Sequence, residues 1–442
     1  MKRIAMAWTL AVGSAFAQST DAPLAPLDFL GRALVVVSDT DMQASAYVDG
    51  RLGPTAGDDT LSVIAMGRQP RELRAAAVAV SNSVAGPPVA VAVTPDGIHA
   101  IVVETFAPRP AGKADARFGD LRFGNRVQVV DLSDLARPRV VQTIDGPVRP
   151  DAVSINADGT LVAIAVHPNG DGTRTPLVLY PFSQGRLGAP VMPDLPGWRP
   201  GERLIHAEFH PSQPVLALVN ETRAELSFVR VAQAGRGWTV QPWGNTVRIE
   251  KSPYMVRFTP DGRHALVNAL YWGADVQGTW NEAPRGSVVS VRVEARNAPD
   301  GTVVHALVSR AMTGVSPEGL TVSPDGKLAA TTNLERSFLP FDDARQTFYS
   351  SITLLRIDPR SGTLSRVADF AYDGILPEAA VFDGSSRFLA VATFDHYDGR
   401  RAGSVDFWRI ARDPLDAERL ELVKTSYSVP VTRGAHSMVL VR

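Results

Sequence analysis

The sequence predicts an all-β protein: a seven-bladed β-propeller with four antiparallel strands per blade, the ring closed by the C-terminal strand joining the N-terminal blade. Three observations carry this. First, one line keeps returning, an apolar alternation, a tight turn and a second apolar run: PPVAVAVTPDGIHAIVV from 87, PYMVRFTPDGRHALVNA from 253 and PEGLTVSPDGKLAATTN from 317. Second, the copies start at intervals of roughly 50 to 65 residues, longer than a minimal four-stranded repeat of about 40 to 45. Third, 36 Gly and 33 Pro supply many turns, while 45% hydrophobic and 21% charged residues give a globular balance.

Each repeated line reads as a β-hairpin. Pro88 leads to Val93 five residues on, and likewise Pro150 to Ile155, Pro253 to Phe258, Pro317 to Val322 and Pro377 to Phe382. RLIHAEFHPSQPVLALVN lacks the proline but keeps Phe209 and a His210-Pro211 turn. Alternation gives the first strand, Asp-Gly or its substitute the turn, and a buried strand follows. Two further strand signals complete each unit, as in RVQVVDL (126–132) with RVVQTI (139–144), or SSITLLRID (350–358) with TLSRVADF (363–370). The N-terminal part offers only three, ALVVVSD, TLSVIAMG and ELRAAAVAVS, and the C-terminus one, VTRGAHSMVLVR. The last strand therefore supplies what the first blade lacks, and no sheet edge stays open there.

Before the first strand, MKRIAMAWTLAVGSAFAQS has a basic start, an apolar run and small residues at Ala15 and Ala17. This predicts a cleaved secretory signal over 1–17, with 18–442 a single propeller domain. About 13 apolar residues are too few to span a bilayer, which takes roughly 20, so no membrane insertion is expected. The expected location is periplasmic or secreted. Cysteine is absent, which excludes disulfides, thiol catalysis and thiolate metal sites. With 45 basic and 46 acidic residues there is no bulk field for nucleic acid.

Lines such as LTVSPDGKLAATTN resemble the YVTN-type repeat of the seven-bladed lactonase-like propellers of exported bacterial proteins. The motif covers about fifteen residues of each unit, all of them strand and turn residues. The resemblance implies the fold and, more distantly, a hydrolase opening a ring ester; it transfers no catalytic residues, and one fold hosts many activities.

Strand order sorts the loops. Connections from second to third strand (39–59, 104–125, 167–176, 271–285, 333–349 and 394–403) share one face with the links between blades, and they are long. Extended loops on one face of a rigid ring make a binding surface. His99, His210, His264 and His305 map to strands and turns and are read as structural. Near the long-loop face lie His167, His206, His396 and His436, with Glu104 and Asp395 beside second strands. Asp151, Glu318 and Glu378 each follow a blade proline, at the top of an innermost strand.

Innermost strands converge on the axis, so these residues predict a ring of His and carboxylate groups around the channel mouth. Asp151, His206, Glu318, Glu378 and His436 form the central set, with Glu318, Glu378 and His436 as catalytic candidates. Such a ring suits a divalent cation such as Ca, or polarisation of water. HPNGDGTRT (167–175) has the small acidic look of a calcium loop but fails the EF-hand pattern. Trp272 and Trp280 offer faces for a sugar or a partner, or pins for a long loop.

No G-x-S-x-G, S-x-x-K, H-E-x-x-H, Walker or G-x-G-x-x-G motif is present. Two readings follow. One is a monomeric binding or scaffold protein whose long-loop face takes a protein, a cell-wall component or a small molecule. The other is the lactonase-like hydrolase.

Overall fold

The computed structural model describes residues 27–442 apart from 56, 68–71, 114, 169–175, 236, 274, 276–278, 298–301, 401, 414–415 and 417–418. The 1–17 leader and most of the 167–175 loop lie outside the described residues. Seven antiparallel sheets of four strands circle an axis, one of them carrying an extra two-residue strand, Val247–Arg248. From blade 1 to blade 7 the innermost strands are Ala435–Val441, Val91–Val93, Pro150–Ile155, Leu204–Phe209, Pro253–Phe258, Pro317–Val322 and Gly374–Phe382.

Each second strand is packed between neighbouring blades and buried on both faces. Ala33–Ser38, Leu161–Val166, Val215–Asn220, His264–Ala269 and Leu328–Asn333 are buried at every residue. That is why they read as continuous apolar runs, whereas the outer strand Arg139–Asp145 is largely solvated. At about 1.5–3 kcal/mol for each fully buried Val, Leu or Ile, these strands hold the ring without cross-links.

The recurring turn has a common hydrogen-bond box. In blade 2, Thr94 Oγ1 donates to Asp96 Oδ1 at 2.5 Å and accepts the His99 N–H at 3.0 Å. Thr259 with Asp261 and Ser323 with Asp325 repeat it. The glycine that follows sits at φ +69 in Gly97 and +70 in both Gly262 and Gly326, a left-handed position open to glycine at little cost.

The ends of the chain meet in blade 1, where Ala33–Ser38 pairs with Ala435–Val441. One buried hydrogen-bond chain locks the junction. The Ala90 N–H donates to Ser437 Oγ (3.2 Å) and the Ser437 hydroxyl to His436 Nδ1 (3.1 Å). The His436 proton is therefore on Nε2 and is donated to Asn82 Oδ1 (2.7 Å), whose amide donates to Ser38 O (3.0 Å). Burial pushes His436 down to about 3, so the imidazole is neutral. Ahead of the first strand, Leu27 and Phe29 bury against blade 7, and Leu30 hydrogen-bonds Asp383 and Gly384.

Five of the expected long connections keep their length. The exception is blade 7, whose second strand runs Phe388–His396, so Asp395 and His396 belong to the strand and the connection is short. In blade 4 the same connection is also short, between Val215–Asn220 and Glu225–Ala234.

Candidate functional site at the axial mouth

The innermost strands break register just past the blade proline, and the break aims side chains at the axis. In blade 3, Pro150 pairs Val166 and Ala152 pairs Ala165, leaving Asp151 unpaired between them. Glu318 is skipped in the same way in blade 6, Glu378 in blade 7, Ile205 in blade 4, and Tyr254 with Met255 in blade 5. A bulge re-aims a side chain at the cost of one ladder position. The residue before each proline takes the strain: Arg149, Ser252, Ser316 and Leu376 have φ of 61, 52, 51 and 51. Such a conformation costs on the order of 1–3 kcal/mol. Part of this is recovered where the residue after the second strand donates its N–H to the strained carbonyl, His167 to Arg149 and Leu270 to Ser252.

The bulges of blades 3, 5 and 6 bring Asp151, Tyr254 and Glu318 to a cavity of about 200 Å³. That is room for about six waters at ~30 Å³ each, or one small ring. Tyr47, Phe106 and Phe118 enclose it from above. They come from the long connections of blades 1 and 2, joined edge to edge by Leu52 N–H to Ala116 O (3.1 Å) and Phe118 N–H to Gly50 O (2.9 Å).

The cavity has two chemically distinct walls. On one, Arg203 Nε meets Asp151 Oδ2 at 3.0 Å and Arg203 Nη1 meets Glu221 Oε2 at 3.1 Å. Asp151 Oδ1 has no hydrogen-bond partner, and burial raises this carboxyl against the pull of Arg203 and Arg149. Arg149 stacks its guanidinium 4.5 Å from the Phe123 ring centroid. On the other wall, burial pushes Glu318 up to about 8. Glu378 is not among the lining residues; burial raises it well above the usual carboxylate range, and the charges of Glu318 and Asp39 raise it further. Its Oε2 lacks a partner. Tyr254 places its hydroxyl 2.7 Å from Gly86 O and beside Glu318, where its hydrogen bond favours the ionised carboxyl. Two acids that both resist ionisation, with a phenol beside Glu318 and two guanidiniums on the same cavity, make a proton-exchanging site with a place for negative charge.

Of the other expected residues, all but Trp272 among those described lie away from the cavity. His436 occupies the blade 1 bulge but is fully buried, with both ring nitrogens used in ring closure. His206 is also fully buried: Nδ1 accepts the Val256 N–H at 3.0 Å, and Nε2 lies 3.4 Å from Glu208 Oε2. His167 donates to Pro168 O at 2.7 Å behind the arginines, held at about 3 by burial and then by Arg203. Glu104 is buried, accepting from Ser81 and from the Asn125 and Arg126 N–H groups, and so staples the blade 2 connection. Asp395 accepts the His396 N–H, and His396 contacts Ser404 Oγ at 2.9 Å. Trp272 lines the cavity, packing on Tyr254 and donating to Ser316 Oγ at 2.9 Å. The Trp280 side chain lies outside the described residues.

Among the described residues, the one acidic group with ligand atoms within 4.8 Å of one another is Asp39, Asp41 and Asp59, not the axial set. Its oxygens already accept from chain N–H groups, Val84 and Asp41 on Asp39, Thr40 on Asp59 and Arg109 on Asp41. Beside it runs an open trough of about 1140 Å³ between blades 1 and 2. It is far larger than the axial cavity, but its cations are paired: Arg109 with backbone carbonyls and Lys113 with Asp120 at 2.8 Å. The orphaned acids gather at the axis instead.

Tyr254, Arg149, Arg203 and Tyr47 were not singled out by the sequence. Tyr254 stands one step past Pro253, as Asp151, Glu318 and Glu378 do past theirs, so the register that found the acids also marks the phenol. Arg149 stands one step before Pro150. Nothing local marks Arg203 or Tyr47.

No protein-family profile matches the chain. No curated protein sequence matches it either. Solved structures do. The Pseudomonas aeruginosa periplasmic gluconolactonase superposes with a TM-score of 0.58 at 15% identity, over 92% of this chain and 99% of that one. A candidate 6-phosphogluconolactonase from Bacteroides fragilis gives 0.59 at 14%, over 93% and 98%. A Desulfotomaculum acetoxidans protein of unknown function gives 0.56 at 13%, over 92% and 99%. At these identities the similarity establishes the seven-bladed, lactonase-like propeller fold.

Proposed function

We propose that the protein is an exported hydrolase that opens a small ring ester in the axial cavity. The observation that carries this reading is the pair Glu318 and Glu378, buried, opposed in ionisation, and each set by a register break past its blade proline, with Glu318 lining the cavity. In the singly ionised pair, the carboxylate takes a proton from an incoming water as its oxygen bonds to the ester carbonyl carbon. The remaining carboxylic acid protonates the ring oxygen as the carbon–oxygen bond breaks. One water is consumed and a hydroxy acid leaves. Arg149 and Arg203 face the charge that develops on the carbonyl oxygen. The leader-like N-terminus and the periplasmic structural relative support export.

Gluconolactone hydrolysis followed in a pH-stat tests this. Turnover should climb as pH rises toward about 8, where the pair gives up its first proton. Glu318→Gln should lower kcat/KM by about 10²- to 10⁴-fold with the fold intact. Undiminished turnover in that variant sinks the proposal.

A further inference from the structure

The blade 6 connection does two things. Leu334 and Phe338 turn inward and line the axial cavity. Just beyond Pro340 the same segment turns outward and shows solvent two large rings, Phe341 at 64% exposure and Phe348 at 55%. Tyr397 of blade 7 completes a triangle with centroids 6.2 Å (Phe341–Phe348), 5.9 Å (Phe341–Tyr397) and 5.8 Å (Phe348–Tyr397). The Phe341 and Phe348 planes differ by 33°, and Tyr397 tilts from them by 42° and 49°, so the three rings make one aromatic plate with its faces inclined to each other.

Holding this plate in water is costly twice over. Exposed aromatic area forgoes hydrophobic stabilisation, and Phe348 sits at φ 55, a region a bulky residue rarely adopts. Gln346 fixes that geometry, accepting the Phe348 N–H while its buried amide donates to Ser337 O and the Tyr397 hydroxyl. The rings cannot fold inward, because Phe338 and Leu339 already fill the space beneath.

We infer that the Phe341–Phe348–Tyr397 plate is a binding platform for a neutral oligosaccharide, one that lays the C–H face of a pyranose on the rings. Area and charge select this occupant. Two half-exposed Phe rings and the neighbouring Tyr349 offer on the order of 300 Å² of apolar surface, against about 800 Å² per partner in a stable protein pair. The rim carries Glu282, Asp342 and Asp343 against Arg345, which Asp343 and Glu282 hold at 2.6 and 2.7 Å. A net negative rim repels anionic lipid and nucleic acid, while carboxylate and guanidinium groups at a ring's edge suit sugar hydroxyls. The platform is separate from the axial chemistry and stands whether or not the ring-ester reading holds.

Titration calorimetry with cellohexaose, chitohexaose and maltohexaose on the full-length protein tests it. Saturable binding of at least one hexaose is expected. The double variant Phe341→Ala/Phe348→Ala should weaken it about tenfold or more, with melting temperature and lactone turnover unchanged, since both rings are exposed. Tyr397→Phe, which keeps the ring, should retain binding. Absence of binding by all three sugars overturns the inference, as does equal binding by the double variant. A wild-type dimer in light scattering that the double variant loses would also overturn it, assigning the plate to self-association.

Discussion

The two rims of the ring bury titratable groups for opposite ends. At the long-loop mouth, burial raises Glu318 and Glu378 and leaves Glu378 Oε2 and Asp151 Oδ1 without partners. Toward the short-turn rim, burial lowers His210 and His305, but each is tied to a neighbouring blade. His210 Nε2 meets Gly262 O at 3.1 Å, and His305 Nε2 meets Trp243 O at 2.7 Å. Desolvation is the common cause; the difference is what the neighbours do about it. A buried polar group that is fully partnered rigidifies a fold, and one left short of partners is available for chemistry.

The sharpest break of this comparison is at the rim. A Cβ at Gly262 would lie 2.1 Å from His210 Nε2, on a residue at φ +70. Gly262→Ala should cost about 2–4 kcal/mol in urea unfolding, with turnover per folded molecule unchanged. Equal stability to wild type would show that the blade 4–5 contact carries no load.

The stability profile with pH separates the two rims next. Between the usual 4.5 and about 8, folded Glu318 keeps a proton that the unfolded chain releases, so its contribution falls as pH climbs through that window. His210 and His305 lie below the usual 6.5 when folded, so the unfolded chain takes up protons first and stability falls as pH drops below 6.5. Glu318→Gln should flatten the alkaline limb by on the order of 1–3 kcal/mol and leave the acid limb in place. His305→Gln should do the converse. Thermal melts across pH 4 to 9 read both, and identical profiles would dissolve the distinction.

The smallest effect belongs to Tyr254. Tyr254→Phe removes one hydrogen bond to Glu318 and one to Gly86, and should lower turnover about three- to tenfold while moving its pH profile upward. The profile moves because that bond favours the ionised carboxyl. An unmoved profile would detach the phenol from the acid pair.

Most of the fold was legible because blade strands obey local rules. A turn that needs Asp-Gly and a second strand buried on both faces leave the same mark in every copy, and the missing first strand was visible as a deficit at one end and a surplus at the other. The cavity was half legible. Asp151, Glu318 and Glu378 stand one step past a proline, so register alone aims them inward. His436 holds the equivalent place in blade 1, yet the 80–90 connection covers it with Asn82, a contact across most of the chain's length. Arg203 comes from the link between blades 3 and 4, and Tyr47 from a four-residue helix, Ala46–Asp49, whose position depends on a neighbouring loop. Such placements follow from tertiary packing, and no short motif encodes them.

The closing lock has a temporal side. Ala33–Ser38 finds its inner neighbour in Ala435–Val441, some four hundred residues later, so a growing chain carries an unzipped first blade until that segment has emerged. Removing Ala435–Val441 therefore opens a sheet edge on Ala33–Ser38, far away in the sequence. A cut that releases this one strand would leave the circle unclosed rather than merely frayed.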